Sequence, residues 1–256
     1  MSQAGPGRLE GKYAVVLGAS AEGGSGWAIA EALATAGARV AVAARTGEGL
    51  DQLAAQIGGI AICCDAGKAE DVHALMAEVR ARLGPIAVAV NAAATAPTGL
   101  IADTPASDIQ RALDVNYIGN VHFIREAAAI MEDGGLIALV SSSSAVQPLL
   151  PMFPYACSKA AADCLVRYAA LEFGARGIRV NSILPGPIKT GMAAHIYAVP
   201  GAEERRAREI PLGRVALPSD IADAVLAFVN APYLTGHNLP VSGGMHLTRP
   251  ARRDDA

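Results

Sequence analysis

Seven short apolar runs recur along the chain, and segments with a helical pattern separate most of them. The runs lack the alternation of apolar and polar residues that marks a sheet with one solvated face, so both faces of each strand should be covered. They are Tyr13–Leu17, Val40–Ala44, Ile60–Cys64, Ile86–Val90, Leu136–Val140, Ile178–Leu184 and Asn238–Val241. Repeated strand–helix units of this kind predict an α/β fold, with a doubly wound parallel sheet of about seven strands and helices on both faces.

Helical patterns fill the intervals between these strands. They cover Trp27–Ala36, Leu50–Ile57, Ala69–Leu83, about Pro105–Met131, Pro154–Phe173 and Pro218–Asn230. No low-complexity linker divides the 256 residues, so we predict a single domain over residues 1–256. The one long irregular segment is Lys189–Arg214. Loops of that length are usually functional, which predicts a substrate lid at about residues 189–214, and a polar tail starts at about residue 248.

Composition excludes several classes of function. Hydrophobic residues make up 52% and charged residues 18%, which is typical of a soluble globular protein, and no apolar run reaches the length of a membrane helix. The N-terminus lacks the apolar core of a secretory signal. A net charge of −3 without a long basic run predicts no nucleic-acid partner. Cys63, Cys64, Cys157 and Cys164 form no CxxC pair, so we expect no metal site, and buried free thiols in a reducing cytoplasm.

A glycine-rich segment, GASAEGGSGWAIA at residues 18–30, follows the first strand and opens the first helix. Backbone N–H groups and the helix dipole favour an anion at such a helix N-terminus. Gly18 permits a tight turn, and Gly24 and Gly26 lack Cβ atoms, so a pyrophosphate could approach closely. A plain strand–helix loop is the alternative interpretation. The β–α units around the segment favour a nucleotide site.

A second set of polar residues surrounds the fifth strand and the helix after it. Tyr155 and Lys159 lie four residues apart in a predicted helix and therefore share a face. Ser142, thirteen residues before Tyr155, follows the fifth strand, where ligands bind in open α/β sheets. Asn116 lies in the long preceding helix. A Tyr–Lys pair alone would be ordinary packing, but the four residues together indicate a catalytic site.

With these motifs in this order, the chain resembles the classical short-chain dehydrogenase/reductase family from Gly11 to about Met245. Other matching pieces are Asp65, Asn91–Ala94, Asn181–Thr190 and Thr235–Met245. The resemblance implies a Rossmann-type fold and an NAD(P)-dependent oxidoreductase. Its reaction would be reversible hydride transfer between a nicotinamide cofactor and a secondary alcohol or ketone. The glycine loop departs from the family pattern, because it is two residues longer and Leu17 replaces the usual threonine.

The resemblance implies a role for each catalytic candidate. Tyr155 would be the general acid/base, and Lys159 would lower its pKa and bind the nicotinamide ribose, because a free phenol is too weak an acid at neutral pH. Ser142 would donate a hydrogen bond to the substrate oxygen. Asn116 would hold a water that links Lys159 to solvent. The other serines that could compete with Ser142 are Ser141, Ser143 and Ser144, and the spacing of thirteen residues favours Ser142.

The expected cofactor contacts are Gly18, Ser20, Gly24, Ser25, Gly26, Arg45, Thr46, Asp65, Ala66, Asn91, Ala92, Tyr155, Lys159, Pro185, Gly186, Ile188 and Thr190. Asp65 would accept from the adenine amino group, with a helix N-cap as the alternative. Ala44 stands where NAD enzymes usually carry an acid. Arg45 and Thr46 could instead bind a 2′-phosphate, which favours NADP(H) over NAD(H). Glu22 in the glycine loop argues against a phosphate nearby.

The expected substrate pocket consists of Ser144, Gln147, Met152, Pro187, Met192 and Ile196. Apolar residues there suit a hydrophobic ketone or alcohol, including a cyclic or steroid-like one, although they could equally pack a lid or a subunit contact. A 3-oxoacyl-carrier-protein-type reductase is an alternative, with Arg205, Arg206 and Arg208 near the mouth. So is a catalytically silent, nucleotide-binding regulatory protein. In an enoyl reductase, the Tyr and the Lys would lie further apart in the sequence than Tyr155 and Lys159 do. The resemblance implies a homotetramer, with a homodimer possible.

Overall fold

A computed structural model describes residues 9–248, except for the side chains of Glu48, Met192 and His195. Seven parallel strands form one sheet in the order β3-β2-β1-β4-β5-β6-β7. They are β1 (Tyr13–Leu17), β2 (Arg39–Ala44), β3 (Ile60–Cys63), β4 (Ile86–Asn91), β5 (Met131–Val140), β6 (Arg179–Pro185) and β7 (Asn238–Val241). The chain runs outward from β1 to β3 and then returns to β4 on the other side of β1. The predicted doubly wound parallel sheet is therefore confirmed.

Helices cover both faces of the sheet. They are α1 (Ser25–Thr35), α2 (Glu48–Ile57), α3 (Ala69–Arg82), α4 (Ala106–Leu113), α5 (Gly119–Ile130), α6 (Phe153–Phe173), α7 (Ala194–Tyr197), α8 (Ala202–Arg208) and α9 (Pro218–Asn230). Side chains of α1, α2 and α9 pack into one apolar core, and those of α3, α5 and α6 into the other. No helix within the described part of the chain is long and apolar enough to cross a membrane.

Strand β1 illustrates why the apolar runs do not alternate. Val15 and Leu17 belong to the core beneath α3, α5 and α6, whereas Ala14 and Val16 belong to the core beneath α1, α2 and α9. All four side chains are fully buried. Because successive side chains of a strand point to opposite faces, a sheet covered on both faces needs an apolar residue at every position.

Two segments differ from the sequence-based expectation. The long helix predicted over about 105–131 is interrupted by a π-helical turn, Asp114–Ile118, between α4 and α5. The predicted lid segment is not irregular throughout, because it contains the short helices α7 and α8. Of the predicted polar tail, only Thr248 lies within the described residues.

The expectation of buried thiols is wrong for three of the four cysteines. All four are free, but only Cys64 is buried, and Cys63, Cys157 and Cys164 are exposed. Cys157 and Cys164 lie seven residues apart in α6, so both point away from the core on one face of the helix. Cys63 ends the edge strand β3, where its neighbour Ile62 takes the buried side. Alternation along the strand therefore turns Cys63 outward.

Candidate active site

The candidate site lies at the edge of the sheet where the parallel strands end. Gly18 follows β1, Asn91 ends β4, Ser142 follows β5 and Pro185 ends β6. Since all seven strands run in the same direction, their carboxyl ends meet at one edge, and the loops that leave them share one cleft. The topology thus brings together residues that lie far apart in the sequence.

Asn116 connects two parts of this cleft through its side chain. It sits in the π-helical turn and is fully buried. Its Oδ1 accepts from the Thr95 backbone N–H (3.0 Å), and its Nδ2 donates to the Thr95 carbonyl (2.8 Å) and to Ser158 Oγ (3.0 Å). Ser158 Oγ in turn donates to the Tyr155 carbonyl at 2.7 Å. Asn116 therefore ties the loop after β4 to the first turns of α6.

The hydrogen bonds continue from Asn116 back to the sheet. Asn120 Nδ2 donates to the backbone carbonyl of Asn116 at 2.6 Å, and Asn91 Nδ2 donates to Asn120 Oδ1 at 2.8 Å. Asn91 Oδ1 accepts from the Ala93 N–H at 3.0 Å. The Asn116 side chain thus has both of its amide hydrogens in use.

Ser142 and Tyr155 meet at the end of β5. Ser142 Oγ accepts from the Ser144 N–H (3.2 Å) and from Ser144 Oγ (2.9 Å), so it begins a short turn of 3-10 helix. The Tyr155 side chain lies close enough to Ser142 for Ser142 to act on its pKa. Burial raises the pKa of Tyr155, Ser142 opposes that rise, and the charge of Asp163 adds to it.

Lys159 is almost completely buried, and its Nζ donates to the Val140 carbonyl at 2.7 Å. The ammonium lies 5.7 Å from the centroid of the Tyr155 ring. Burial lowers the pKa of Lys159 to about 8, and Asp163 opposes that change. The expectation that Lys159 depresses the pKa of Tyr155 is not met in this arrangement. The ammonium bonds the Val140 carbonyl, and desolvation of the phenol dominates.

The glycine loop needs glycine at two positions for steric reasons. Gly18 has a φ of +92°, and a Cβ there would collide with the backbone of Ala92 and Ala93. A Cβ on Gly26 would collide with the Gly18 carbonyl oxygen. Helix α1 begins at Ser25, and its N-cap, Gly24, supplies no side-chain hydrogen bond. The N–H groups of the first turn are therefore open to an acceptor such as a phosphate.

Residues at the ends of β2 and β3 form the far side of the same cleft. Arg45 and Thr46 follow β2 and are exposed. Asp65 Oδ1 accepts from the Gly67 N–H at 3.0 Å, and the Asp65 N–H donates to Asp71 Oδ2 at 3.0 Å. The N-cap of α3 is Lys68, so the interpretation of Asp65 as a helix N-cap is wrong. The adjacent Ala66 is buried.

The segment after β6 leads from the sheet into the lid. Gly186 N–H donates to the Val241 carbonyl at 3.1 Å, and Ile188 pairs with Ala216 in a short parallel bridge. Thr190 lines a cavity of about 430 Å³ between the lid and the glycine loop. The other lining residues are Glu22, Gly23, Lys189, Gly191, Ala194, Tyr197 and Ala198. Glu22 and Gly23 of the glycine loop therefore face the segment predicted as a lid.

The expected substrate residues lie in three places. Ser144, Gln147 and Met152 lie together after β5, and Met152 pairs with Gly99 in a short parallel bridge. Gln147 Nε2 donates to the Thr248 carbonyl at 2.8 Å. Ile196 lies in α7, and Met192 precedes it with a side chain outside the described set. Pro187 instead lines a separate cavity of about 100 Å³ with Ile210, Leu212, Arg214, Ala216, Asp220, Val241, Ser242 and Gly243.

Sequence reasoning missed several residues that shape the site. Ser158 and Asn120 complete the hydrogen bonds around Asn116, and their only signal was a polar residue within a helix core. Gly49 in α2 packs so closely on the Ser20 carbonyl that a Cβ would collide with it. Asp163, a buried acid one helical turn after Lys159, could have been noticed from the spacing alone.

A family model described as enoyl-(acyl carrier protein) reductase matches residues 18–246. Among curated proteins, the chain is 35% identical over 240 residues to the 3-oxoacyl-[acyl-carrier-protein] reductase of Rattus norvegicus, covering 93% of this chain and 99% of the relative. It is also 35% identical over 247 residues to the 7alpha-hydroxysteroid dehydrogenase of Escherichia coli strain K12, covering 93% and 95% of the two chains.

Solved structures agree with these relatives. A short-chain dehydrogenase/reductase from Serratia marcescens superposes with a TM-score of 0.85 at 30% identity, over 93% of this chain and 99% of that one. A single-substitution variant of an actinorhodin polyketide ketoreductase with NADPH superposes with a TM-score of 0.86 at 28% identity, over 92% and 97%. The similarity extends over the whole sheet and its helices rather than over a single motif.

Proposed function

The chain belongs to the short-chain dehydrogenase/reductase family, and on that basis we propose that it interconverts ketones and secondary alcohols with NADP(H) through Asn116, Ser142, Tyr155 and Lys159. Membership makes it an NAD(P)-dependent oxidoreductase. One observation carries the assignment of the residues. The Ser142 side chain lies close enough to act on the pKa of Tyr155, beside a buried lysine on the same helix as Tyr155, and Asn116 joins that helix through Ser158.

The glycine loop and the strand ends fit a dinucleotide. The crowding at Gly18 and Gly26 leaves no room for side chains where a pyrophosphate would approach, and Gly24 leaves the N-terminus of α1 uncapped. When bound, the nicotinamide supplies the hydride or accepts it. Further support for this placement comes from Thr190, which lines the cavity between the glycine loop and the lid.

The protein's own task is to orient the carbonyl and to move one proton. Ser142 holds the substrate oxygen with a hydrogen bond, beside the hydroxyl of Tyr155. Tyr155 Oη donates the proton in reduction and accepts it in oxidation. Because burial raises the pKa of Tyr155, the phenol stays protonated at neutral pH, which suits a proton donor in ketone reduction. The ammonium of Lys159, 5.7 Å from the centroid of the ring, partly offsets the effect of burial as the phenolate forms.

A preference for NADP(H) is supported by the end of β2. Ala44 provides no carboxylate there, and Arg45 and Thr46 are exposed and can reach a 2′-phosphate. The actinorhodin ketoreductase that superposes on this chain has NADPH in its structure. Glu22 is also exposed, but it lies on the lid side of the loop, where it lines the cavity with Lys189 and Thr190. This position weakens the argument that Glu22 repels a phosphate.

An apolar substrate is supported by the rim of the cleft. The bridge between Gly99 and Met152 brings two loops together, and both carry exposed apolar side chains. These are Leu100, Ile101, Val146, Leu149 and Leu150. A hydroxysteroid and a 3-oxoacyl thioester both fit this chemistry, and relatives of both kinds match. For a carrier-bound substrate, the lid arginines are weak support, because Arg205 bonds the Pro200 carbonyl and Arg206 stacks on Tyr197.

A second copy of the chain is supported by the outer face of α6. Tyr168 and Leu171 are 68% and 82% exposed there, and Cys157 and Cys164 share the face. A homotetramer or homodimer that covers this face is the assembly we propose, and sedimentation would test it. The free cysteines of the described residues support a reducing compartment such as the cytoplasm.

The test of the cofactor is the melting temperature of the purified protein in titrations with NADPH and with NADH. Ligand at about 100 times Kd should add roughly 2.7 kcal/mol to the free energy of unfolding. We expect NADPH to act at the lower concentration. A stronger response to NADH would overturn the preference for NADP(H), and no response to either would overturn the cofactor site.

The test of the chemistry is Tyr155→Phe, assayed with NADPH on a panel of hydroxysteroid ketones and 3-oxoacyl thioesters. Loss of the phenolic proton should reduce kcat about 10²–10⁴-fold, while the NADPH-induced rise in melting temperature stays as in the wild type. Turnover by Tyr155→Phe at the wild-type rate would contradict the assignment of Tyr155. Cofactor binding without turnover of any ketone by the wild type would instead favour a regulatory nucleotide-binding protein.

A further inference from the structure

Lys159 poses an electrostatic problem that the other three proposed catalytic residues, Asn116, Ser142 and Tyr155, do not solve. Its side chain is 1% exposed, and the only described hydrogen bond of Nζ goes to a neutral carbonyl, that of Val140. An isolated buried ammonium tends to lose its proton, because desolvation disfavours the charged form. Lys159 can stabilise a phenolate only while it carries a charge, so the fold needs a counter-charge nearby.

Asp163 is the buried acid that faces the same side of α6. Tyr155, Lys159 and Asp163 are spaced by four residues each, so they form one line along the helix. Asp163 is 5% exposed, and its Oδ1 accepts from Ser182 Oγ at 3.0 Å. Its Oδ2 is buried and has no hydrogen-bond partner of good geometry. Asp163 and Lys159 do not form a direct ion pair, so they interact through the low-dielectric interior.

The groups around Asp163 leave Lys159 as its main ionic partner along the helix. On α6, the other charged groups are Glu172, nine residues further along, and Arg167, which donates to the Asp163 carbonyl at 3.2 Å and has its side chain exposed. The strands contribute only neutral groups: Ser141 after β5, Ser182 on β6 and Asn238 on β7. Within the described residues, Asp163 is the only charged group that acts on the pKa of Lys159.

We propose that Asp163 is the buried counter-charge that keeps Lys159 protonated at neutral pH, and is thereby a positioning residue of the catalytic site. Each group compensates the charge of the other, since either one alone would be an uncompensated charge in the core. Asp163 never contacts the substrate in this scheme. It acts through the protonation state of Lys159, and the inference rests on the role proposed above for Lys159.

The direct test is NMR of protein labelled with ¹³C at the lysine Cε atoms. The chain has only four lysines, Lys12, Lys68, Lys159 and Lys189, so each signal can be followed through a pH titration. One signal should titrate near pH 8 and be absent from Lys159→Met. In Asp163→Asn, which keeps the size and an oxygen acceptor for Ser182, that signal should titrate at a pH lower by about one unit or more.

The matched control is Asp223→Asn on α9, which removes the same charge from an exposed position on the other face of the sheet. It should leave the Lys159 titration unchanged. An unchanged titration in Asp163→Asn would overturn the proposal. If Asp163→Asn fails to fold, the titration of the wild-type protein still tests the proposal. The Lys159 signal must then show a second inflection at acidic pH, where Asp163 takes up its proton, and a single inflection would overturn the proposal.

Activity separates this inference from the proposed function. In Asp163→Asn, the alkaline limb of the kcat profile should move to lower pH by about the same amount as the NMR titration, with the KM for NADPH at pH 6 unchanged. A variant whose Lys159 signal moves but whose pH profile does not would overturn the positioning role. If the wild type turns over no ketone, the proposed function fails, while the NMR titration still tests the charge pairing.

Discussion

The side of the cleft that we propose to be catalytic is held by buried side-chain hydrogen bonds, whereas the side that we propose to bind the cofactor is shaped by the backbone and carries exposed side chains. Asn116, Ser158 and Lys159 are all buried, and each bonds to another element of the fold. Arg45 and Glu22, on the cofactor side, are exposed. Changes on the catalytic side should therefore affect stability and turnover together. Changes to the exposed side chains on the cofactor side should affect affinity alone.

The largest effect is expected for Asn116→Ala. The change leaves the Thr95 N–H and carbonyl without their partner in a partly buried site, where each unpaired group costs up to about 1–3 kcal/mol. We expect the free energy of unfolding to fall by about 3 kcal/mol in a denaturant titration, together with a loss of turnover. Gln110→Ala, which removes an exposed hydrogen bond to Asp114, is the control and should change neither. An unchanged free energy of unfolding in Asn116→Ala would contradict the idea that buried side-chain hydrogen bonds hold the catalytic side of the cleft.

Gly26→Ala should give the next largest effect, and it tests the role of backbone shape. The added Cβ would overlap the Gly18 carbonyl, so the loop or the start of α1 must shift. We expect the Kd for both NADPH and NADH to rise about 10–100-fold, since relief of such an overlap costs typically about 1–3 kcal/mol. Gly174→Ala meets open space and serves as the control. Calorimetric titration measures both, and unchanged affinity in Gly26→Ala would argue against a pyrophosphate at this loop.

Arg45→Ala should have a smaller effect that is specific to one cofactor. Loss of an exposed, charge-assisted contact should weaken NADPH about tenfold and leave NADH unchanged, because only NADPH carries the 2′-phosphate. The melting temperature without cofactor should stay the same. Arg80→Ala, on α3, is the matched change, and equal losses for NADPH and NADH in Arg45→Ala would contradict the assignment.

The smallest effect is expected for Glu203→Gln in the lid. Glu203 pairs with Lys189 at 2.7 Å, and both side chains are about half exposed. Exposed pairs of this kind contribute little, so the melting temperature should not change. We expect the KM for the ketone to change about twofold or less, because the lid keeps its short helices. A large loss of kcat would mean that the Lys189–Glu203 pair takes part in catalysis. It would then contradict the distinction between the catalytic side and the cofactor side of the cleft.

The sheet and its helices were predictable because strands that are buried on both faces appear in the sequence as continuous apolar runs. Runs such as Tyr13–Leu17 and the helix Pro218–Asn230 have the predicted bounds. The π-helical turn Asp114–Ile118 was not predictable, because one extra residue per turn leaves the apolar pattern almost unchanged. It is stabilised by tertiary contacts, above all those of Asn116 with Thr95 and Ser158.

The candidate site was predictable where the spacing of residues along the chain fixes their relative positions. It was not predictable where it depends on which side chains and backbone groups form hydrogen bonds with each other. The positions of Ser142, Tyr155 and Lys159 follow from the end of β5 and from the helical repeat of α6. The direction of the Lys159 ammonium, toward the Val140 carbonyl, depends on packing between α6 and β5 and could not be read from the sequence. The same holds for the pKa of Tyr155, which is set by burial rather than by sequence neighbours.

The bridge between Gly99 and Met152 also bears on how the sequence of such a protein can change during evolution. It joins two loops whose exposed apolar residues, among them Ile101 and Leu150, form the rim of the cleft. Neither segment 98–103 nor segment 146–151 contributes a residue to the two apolar cores. Both can therefore be exchanged as a pair, by grafting or by natural drift, without disturbing the chemistry below. A single scaffold can in this way acquire new substrates at little risk to its folding.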